Sequence, residues 1–343
     1  MRYSIVFAAS LAARVSGHGL IRSIEGANGV SMPGLTVADG TPRDCTNNPC
    51  GSQADTAIIR DVQIKLGKCG PLGQTQGHGS VNASAVVANF MGTGGPAPVN
   101  KRPDGALGTI GVVPSEDNSF MTPEQRRQEY NRQAAELFKG ESNDVVSPMT
   151  PYDGAGKSKP KNKKPPYGVG KAKGKGKAKG KAKGVNKKSS KIYRSETLNG
   201  DMRGQGAETG LPTCNDEGVI NLIYHQINED GAGPLDAAID CTSGGSDASA
   251  FQPASVIRDI PGSAGISSIT NTDHPVQVQM PAGMTCNGEV AGVKGVCIVR
   301  VRNTAGAGPF GGSAAFTQSQ ESRKRAIAYR LQKRMEIGSS KSH

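Results

Sequence analysis

Tryptophan is absent from the 343 residues, and only 7 Phe and 7 Tyr supply large aromatic rings. That scarcity argues against a flat aromatic platform of the kind that stacks on crystalline polysaccharide. Apolar residues reach only 35%, below the roughly 45–50% usual in globular chains, so part of the chain cannot contribute to a core. Beyond the first 17 residues, nothing approaches the roughly 20 apolar residues that span a bilayer. The G-x-S-x-G elbow, the H-E-x-x-H pair and the Walker loop are all missing. Asp216-Glu217 and Glu229-Asp230 are adjacent carboxylates in turn-like sequence. Such neighbours need not converge on one bond, so they make a poor glycosidase pair. Acidic residues vanish from one region: Lys157 to Lys191 holds fifteen lysines and no acid. Subtracting those fifteen charges from the net +12 leaves −3 for the rest of the chain. That mildly acidic remainder excludes a basic DNA-binding domain and any specific nucleic-acid role.

The chain opens with an export signature. Arg2 precedes the apolar stretch Ser4-Ile-Val-Phe-Ala-Ala-Ser-Leu-Ala-Ala, and Val15-Ser16-Gly17 leads into His18. This predicts a signal peptide over 1–17, cleavage after Gly17 and a secreted, extracellular product. Seven cysteines suit that destination. Cys45 and Cys50 bracket Thr-Asn-Asn-Pro, Cys286 and Cys297 bracket a Gly-rich loop, and Cys214 and Cys241 flank a strand-like segment. These are three candidate bridges, with Cys69 left over; spacing alone does not fix the connectivity. The sequon Asn82-Ala83-Ser84 is a glycosylation candidate.

Short alternating runs separated by Gly, Pro and Asn clusters predict a mainly β fold, an immunoglobulin-like antiparallel β-sandwich with a few surface helices. The strands are expected at Val219–Tyr224, Val276–Met280 and Cys297–Arg302. Helices are expected over Val81–Met91, from Thr122-Pro123-Glu124 to about Lys139, and over Gln320–Ile337. The predicted organisation is 18–140 as the first part of the sandwich with a helical insertion, then 141–200 as a disordered Lys/Gly/Ala-rich insertion. It continues with 201–318 as the second part of the sandwich and 319–343 as a basic C-terminal helix and tail. The lysine tract reads either as a solvated spacer or as a tether for a polyanion such as acidic wall polysaccharide. A monomer without a membrane span is expected.

Cleavage before His18 would create an amino-terminal histidine, which offers its α-amine and ring Nδ1 to one metal ion. A second imidazole would complete a three-nitrogen set suited to copper. His78, in the loop Gln76-Gly-His-Gly-Ser80, is the only other histidine of the N-terminal half. In this arrangement the chain resembles the lytic polysaccharide monooxygenases, β-sandwich enzymes that begin with histidine after the leader. The resemblance implies copper as cofactor, His18 and His78 as metal ligands, Phe310 in the axial position, and His225 as a neighbouring hydrogen-bond donor. The plainer readings are a structural His225, Phe310 as core filler and His274 as a surface turn residue.

Longer runs carry a wider resemblance. HGLIRSIEGANGVSMPGLTVADGTPRDC, NPCGSQADTAIIRD, GPLGQTQGHGSVNAS, YHQINEDGAGPLDAAID, QVQMPAGMTCNG and CIVRVRNTAGAGPFGGSAAF occur in this order. Over roughly 18–95 and 210–335 the chain resembles the Egh-type secreted proteins of pathogenic fungi, a family that includes appressorium-specific virulence factors. The resemblance implies a fungal virulence factor made during host penetration, with no activity settled. Ser313 stands where many relatives are expected to carry a cysteine. Two functions therefore stand side by side. One is a copper-dependent oxidoreductase acting on a cell-wall polysaccharide; the other is a non-catalytic protein that binds the wall or the host.

Overall fold

The computed structural model describes residues 18–45, 51–100, 112–114, 122–139 and 193–340. The expected signal peptide, Cys50 and the lysine tract lie outside the described residues. In chain order the strands begin with β1 (Gly19–Glu25), β2 (Ser31–Pro33), β3 (Ala57–Ile58), β4 (Gln74–Thr75) and β5 (Gly79–Ser80). Next come β6 (Val112–Pro114), β7 (Tyr193–Ser195), β8 (Val219–Gln226), β9 (Leu235–Asp240) and β10 (Gln252–Arg258). The last are β11 (Thr272–Gln279), β12 (Gly288–Val290), β13 (Val293–Asn303) and β14 (Phe310–Phe316). The helices are α1 (Asp61–Lys65), α2 (Ala83–Met91), α3 (Pro123–Phe138), α4 (Leu198–Asp201), α5 (Gln205–Thr209) and α6 (Gln320–Ser340).

The mainly β, antiparallel architecture expected from the alternating runs is present. Its layers belong to one continuous sheet in the order β2-β1-β8-β11-β10-β9-β13-β14-β3-β4-β5, with β12 beside β13. The joint is β10, which pairs with β9 through Gln252–Ala254 and with β11 through Ser255–Arg258. The sheet curls until β1 packs against β14, and the Leu35 N–H donates to the Ser313 carbonyl at 2.8 Å. Between the leaves lie Ile24, Leu222, Tyr224, Val276 and Val278 from one side, with Val299, Val301, Ala314 and Phe316 from the other. Full burial of each large member stabilises the fold by about 1.5–3 kcal/mol.

Alternation in β8 holds only over its first residues; from Leu222 to Gln226 every side chain is buried. Arg22 on the neighbouring β1 meets Glu196 at 3.5 Å and lies over the Tyr130 ring of α3 at 5.1 Å, and α3 contacts β11. Helix α3 begins as the sequence predicts, with a reciprocal capping box between Thr122 and Gln125 and Pro at its first turn. Residues 193–200, assigned from sequence to the insertion, belong to the fold: Leu198 and Asn199 are buried, and Asn199 donates to the Val37 carbonyl at 2.7 Å.

The cysteines depart from the expected map in one place. Cys45 is disulfide-bonded. Cys297 stands within bonding reach of both Cys286, as expected, and Cys241. The Cys241 and Cys286 sulfurs lie 3.9 Å apart. One sulfur forms one disulfide, so these are alternative bridges sharing Cys297. The expected Cys214–Cys241 bridge is absent. Cys214 is free and buried, 3.5 Å from the Ser322 hydroxyl on α6, whereas Cys241 follows β9 and faces β13. Cys69 is also free and buried.

Candidate functional site

His18 enters β1 at one end of the sheet. Its carbonyl accepts from the Ile227 N–H at 2.9 Å, and its own N–H donates to Asn228 Oδ1 at 2.8 Å. The ring Nδ1 lies 3.4 Å from Asn228 Nδ2. Both nitrogens of the expected chelate therefore address one side-chain amide and so face one region of space. The imidazole packs against the Phe310 ring at 5.4 Å between centroids. The residue that the resemblance nominated for the axial position is thus beside His18.

The loop Asn228-Glu-Asp-Gly-Ala-Gly-Pro234 supplies the plate on which this end rests. A Cβ on Gly231 would come 2.1 Å from the His18 carbonyl oxygen, and one on Gly19 would come 2.1 Å from the Tyr224 hydroxyl. Only glycine permits both approaches. The Tyr224 hydroxyl donates to the Gly231 carbonyl at 3.1 Å. Asn303 then ties the plate to β14: its Nδ2 donates to the Asp230 and Ala232 carbonyls, and its Oδ1 accepts from the Phe310 N–H at 3.0 Å.

His78 occupies the turn between β4 and β5, where its Nε2 contacts the Thr36 carbonyl at 3.0 Å. A carbonyl only accepts, so Nε2 carries the proton and the lone pair resides on Nδ1. His18 thus fits a two-nitrogen copper chelate, while His78 in this arrangement does not offer Nε2 as a third ligand. Among the described residues the cluster of three metal-type donors is Cys241, Cys286 and Cys297. With one pair oxidised, a single thiol remains there, too few donors for a metal centre.

His225 turns away from this end. Its Nδ1 meets Asp273 Oδ1 at 2.6 Å, and its buried Nε2 has no partner. Asp273 sits opposite His225 in the β8–β11 register. Its other oxygen accepts from Arg22 Nη1 at 2.6 Å. Arg22 is the extra residue of a bulge in the β1–β8 pairing, between Ile21 and Ser23; bulges redirect side chains in this way. The chain of charges continues from Arg22 to Glu196 at 3.5 Å and from Glu196 to Arg43 at 3.0 Å, ending in the buried Arg43–Asp55 pair. Asp55 also accepts from Thr41 Oγ1 and the Ala38 N–H.

Burial alone would raise the Asp273 carboxyl, but the His225 hydrogen bond and the Arg22 charge hold it well below the usual range. Glu196 is lowered for the same reason, its burial outweighed by Arg22 and Arg43. Burial would lower Arg22, yet Glu196 and Asp273 raise it. His274, expected in a surface turn, lies on β11, and burial lowers its pKa, helped by His225 and opposed by Asp273. The His225–Asp273 pair has the form of an oriented base. Asp273 is also committed to Arg22, and the pair ties β8 to β11.

Of the sequence-predicted site residues, the structure brings His18 and Phe310 together, and it assigns His78 and His225 to other partners. Arg22, Arg43, Asp55, Glu196 and Asp273 escaped the sequence reading because they come from distant segments. The one local signal was a charge inside an apolar strand, as in Leu20-Ile21-Arg22. Asn82, the sequon residue, is exposed and caps α2 by accepting from the Ser84 N–H at 2.9 Å. No helix among the described residues is long and apolar enough to cross a membrane.

Comparison with known proteins adds a family. No solved structure matches the chain. The appressoria-specific virulence factor GAS2 of Pyricularia oryzae is 43% identical over 338 residues, covering 97% of this chain and 95% of the relative. The appressoria-specific virulence factor GAS1 of the same fungus is 36% identical over 129 residues, covering 36% of this chain and 50% of the relative. The model of the Egh16-like virulence factor family matches residues 16–311, a span that holds the His18 plate, strands β1 to β13 and the ionic chain, so the chain belongs to the Egh16-like virulence factor family.

Proposed function

We propose that this protein is an exported virulence factor that acts during host penetration, and that its mature form begins at His18 and chelates Cu(II) there. The observation that carries the metal reading is the convergence of the His18 main-chain nitrogen and Nδ1 on the single Asn228 amide. Copper at such a site supplies one-electron redox chemistry with oxygen or peroxide. The residues of this chain would do simpler work. His18 provides two nitrogens, the Gly231 plate fixes its carbonyl, and Phe310 covers one face of the imidazole against water.

The engagement of His78 Nε2 by Thr36 favours binding without turnover over oxidative attack on a wall polysaccharide. The test uses protein secreted with its native N-terminus, which mass spectrometry should show to begin at His18. Titration with Cu(II) under electron paramagnetic resonance is then compared between wild type, His18→Ala and His78→Ala. Expected is a nitrogen-coordinated site abolished in His18→Ala and retained in His78→Ala, with no oxidised oligosaccharides. Equal copper binding by wild type and His18→Ala overturns the chelate. Loss in His78→Ala together with oxidised products would instead establish the full brace and an oxidoreductase.

A further inference from the structure

On the outer face of the curled sheet, away from its core, β13 presents Arg300 and Arg302 while Val299 and Val301 point inward. In register, Arg302 stands opposite Asp236 and Arg300 opposite Ala238 on β9, and Ala238 stands opposite Pro253 on β10. The three strands thus form a small-residue floor with a guanidinium at its edge. Above this floor is a groove of about 560 Å³, within the roughly 300–1,000 Å³ of ligand sites.

Arg302 is fully occupied: both of its terminal nitrogens reach the Asp61 carboxylate, at 2.6 and 3.1 Å. Arg300 is not. Its Nη1 donates to the Pro71 carbonyl at 2.5 Å, and its guanidinium lies 4.4 Å from the Phe251 ring, which fixes its plane. The acid that favours its charge, Asp61, already belongs to Arg302. Burial and the neighbouring Arg302 charge consequently lower Arg300 to about 10. A half-buried cation without its own counter-ion is costly to keep. Its guanidinium is therefore a ready acceptor site for an anion, and bidentate pairing with a carboxylate is the geometry it favours.

The rest of the groove narrows the class of anion. Asp259 is anchored by the Leu235 and Ile260 N–H groups, and Asp236 is exposed at the groove wall. Their carboxylates accept from hydroxyl groups and repel a multiply charged phosphate. A saturated ring bearing hydroxyls and one carboxylate meets all of these requirements. We propose that the groove over β9, β10 and β13 binds an acidic sugar, a uronate residue, with its carboxylate on Arg300 and its ring on the Ala238–Pro253 floor. The site shares no residue with the His18 end and stands independently of the copper reading.

The test is calorimetric titration of the full secreted chain with digalacturonate, with the corresponding neutral galactose disaccharide and with inorganic phosphate. The lysine tract is present in every arm, so differences among variants report the groove. Arg300→Gln should weaken digalacturonate about tenfold or more, as expected for loss of a charge-assisted bond. Ala238→Phe, which fills the floor without touching the charge, should do the same. The neutral disaccharide should bind at least about tenfold more weakly than the acidic one, by the same charge-assisted contribution. Thermal melting reports whether each variant folds; if Arg300→Gln fails to, Ala238→Phe decides. The proposal is overturned if wild type does not bind digalacturonate, if both folded variants bind it as wild type does, or if phosphate or the neutral sugar binds equally well.

Discussion

Arg43 is a cation with 1% side-chain exposure whose charge is balanced by Asp55 and Glu196. Removing one partner of such a buried pair leaves the other without compensation, a loss of about 3–5 kcal/mol. Arg43→Met is therefore expected to cost about 3–5 kcal/mol in denaturant unfolding, and a cost no larger than that of an exposed arginine would refute the network's role. Asp273 gives the pH signature of the same chain of charges. Its folded pKa is depressed, so the unfolded state takes up a proton first as the pH falls. The stabilisation is complete above the usual carboxylate value of about 4 and disappears as the pH falls through the lower folded value. Asp273→Asn should accordingly melt well below wild type near neutrality, with the gap closing in acid; a pH-independent gap would contradict this. The cysteines make a third residue-scale case. The Cys286–Cys297 Cα separation of 5.1 Å lies within the usual range of about 4.4–6.8 Å. The 4.0 Å of Cys241–Cys297 falls short of it. Peptide mapping of wild type should find Cys286 bonded to Cys297 and Cys241 as a thiol, and Cys286→Ser should restore a bridge through Cys241. A thiol at Cys297 in that variant would show that the two bridges are not alternatives.

Among the elements, those built from local signals were legible before any coordinates. Helix α3 announces itself with Thr122-Pro123-Glu124, helix α2 with its periodic apolar residues, and β8, β11 and β13 with their alternation. The pairing of His18 with Phe310 was legible in part, through a resemblance and not through spacing. What the sequence hid depends on long-range register. One bulge at Arg22 moves a charge onto the outer face of β8, and a strand shared between two layers joins what reads as two sheets. The Cys214–Cys241 expectation failed for the same reason: the pair brackets a strand in sequence, but β9 returns its end to β13 and not to the start of β8. The Asn82 cap belongs to this scale too. Asn82→Ala removes an acceptor for the Ser84 N–H and should cost about 1 kcal/mol. A glycan on Nδ2 would leave the capping Oδ1 in place, so enzymatic deglycosylation should leave the melting temperature of α2 and its surroundings unchanged, whereas the alanine variant lowers it.

For the whole molecule, the net +12 is a sum of two unlike parts. Fifteen lysines between Lys157 and Lys191 outweigh a remainder of −3, so the charge that governs encounter with a polyanion resides almost entirely in one stretch of sequence. Attraction between such a stretch and a polyuronate depends on counterion release and weakens steeply with salt. Charges separated by more than about 10 Å are largely screened at 0.1 M. Deleting 157–191 reverses the sign of the protein's charge while leaving α3, Glu196 and the Arg300 groove in the chain. The full chain is expected to be retained on immobilised polygalacturonate at low ionic strength and to elute as salt rises, whereas the deletion variant passes through. Digalacturonate affinity, measured on the same two proteins, should differ far less, because a two-sugar ligand engages the groove and meets few of the fifteen lysines at once. Identical elution of the two proteins would remove the tether. Equal loss of column retention and of disaccharide affinity would assign both effects to the lysines and leave the groove with no part in recognition.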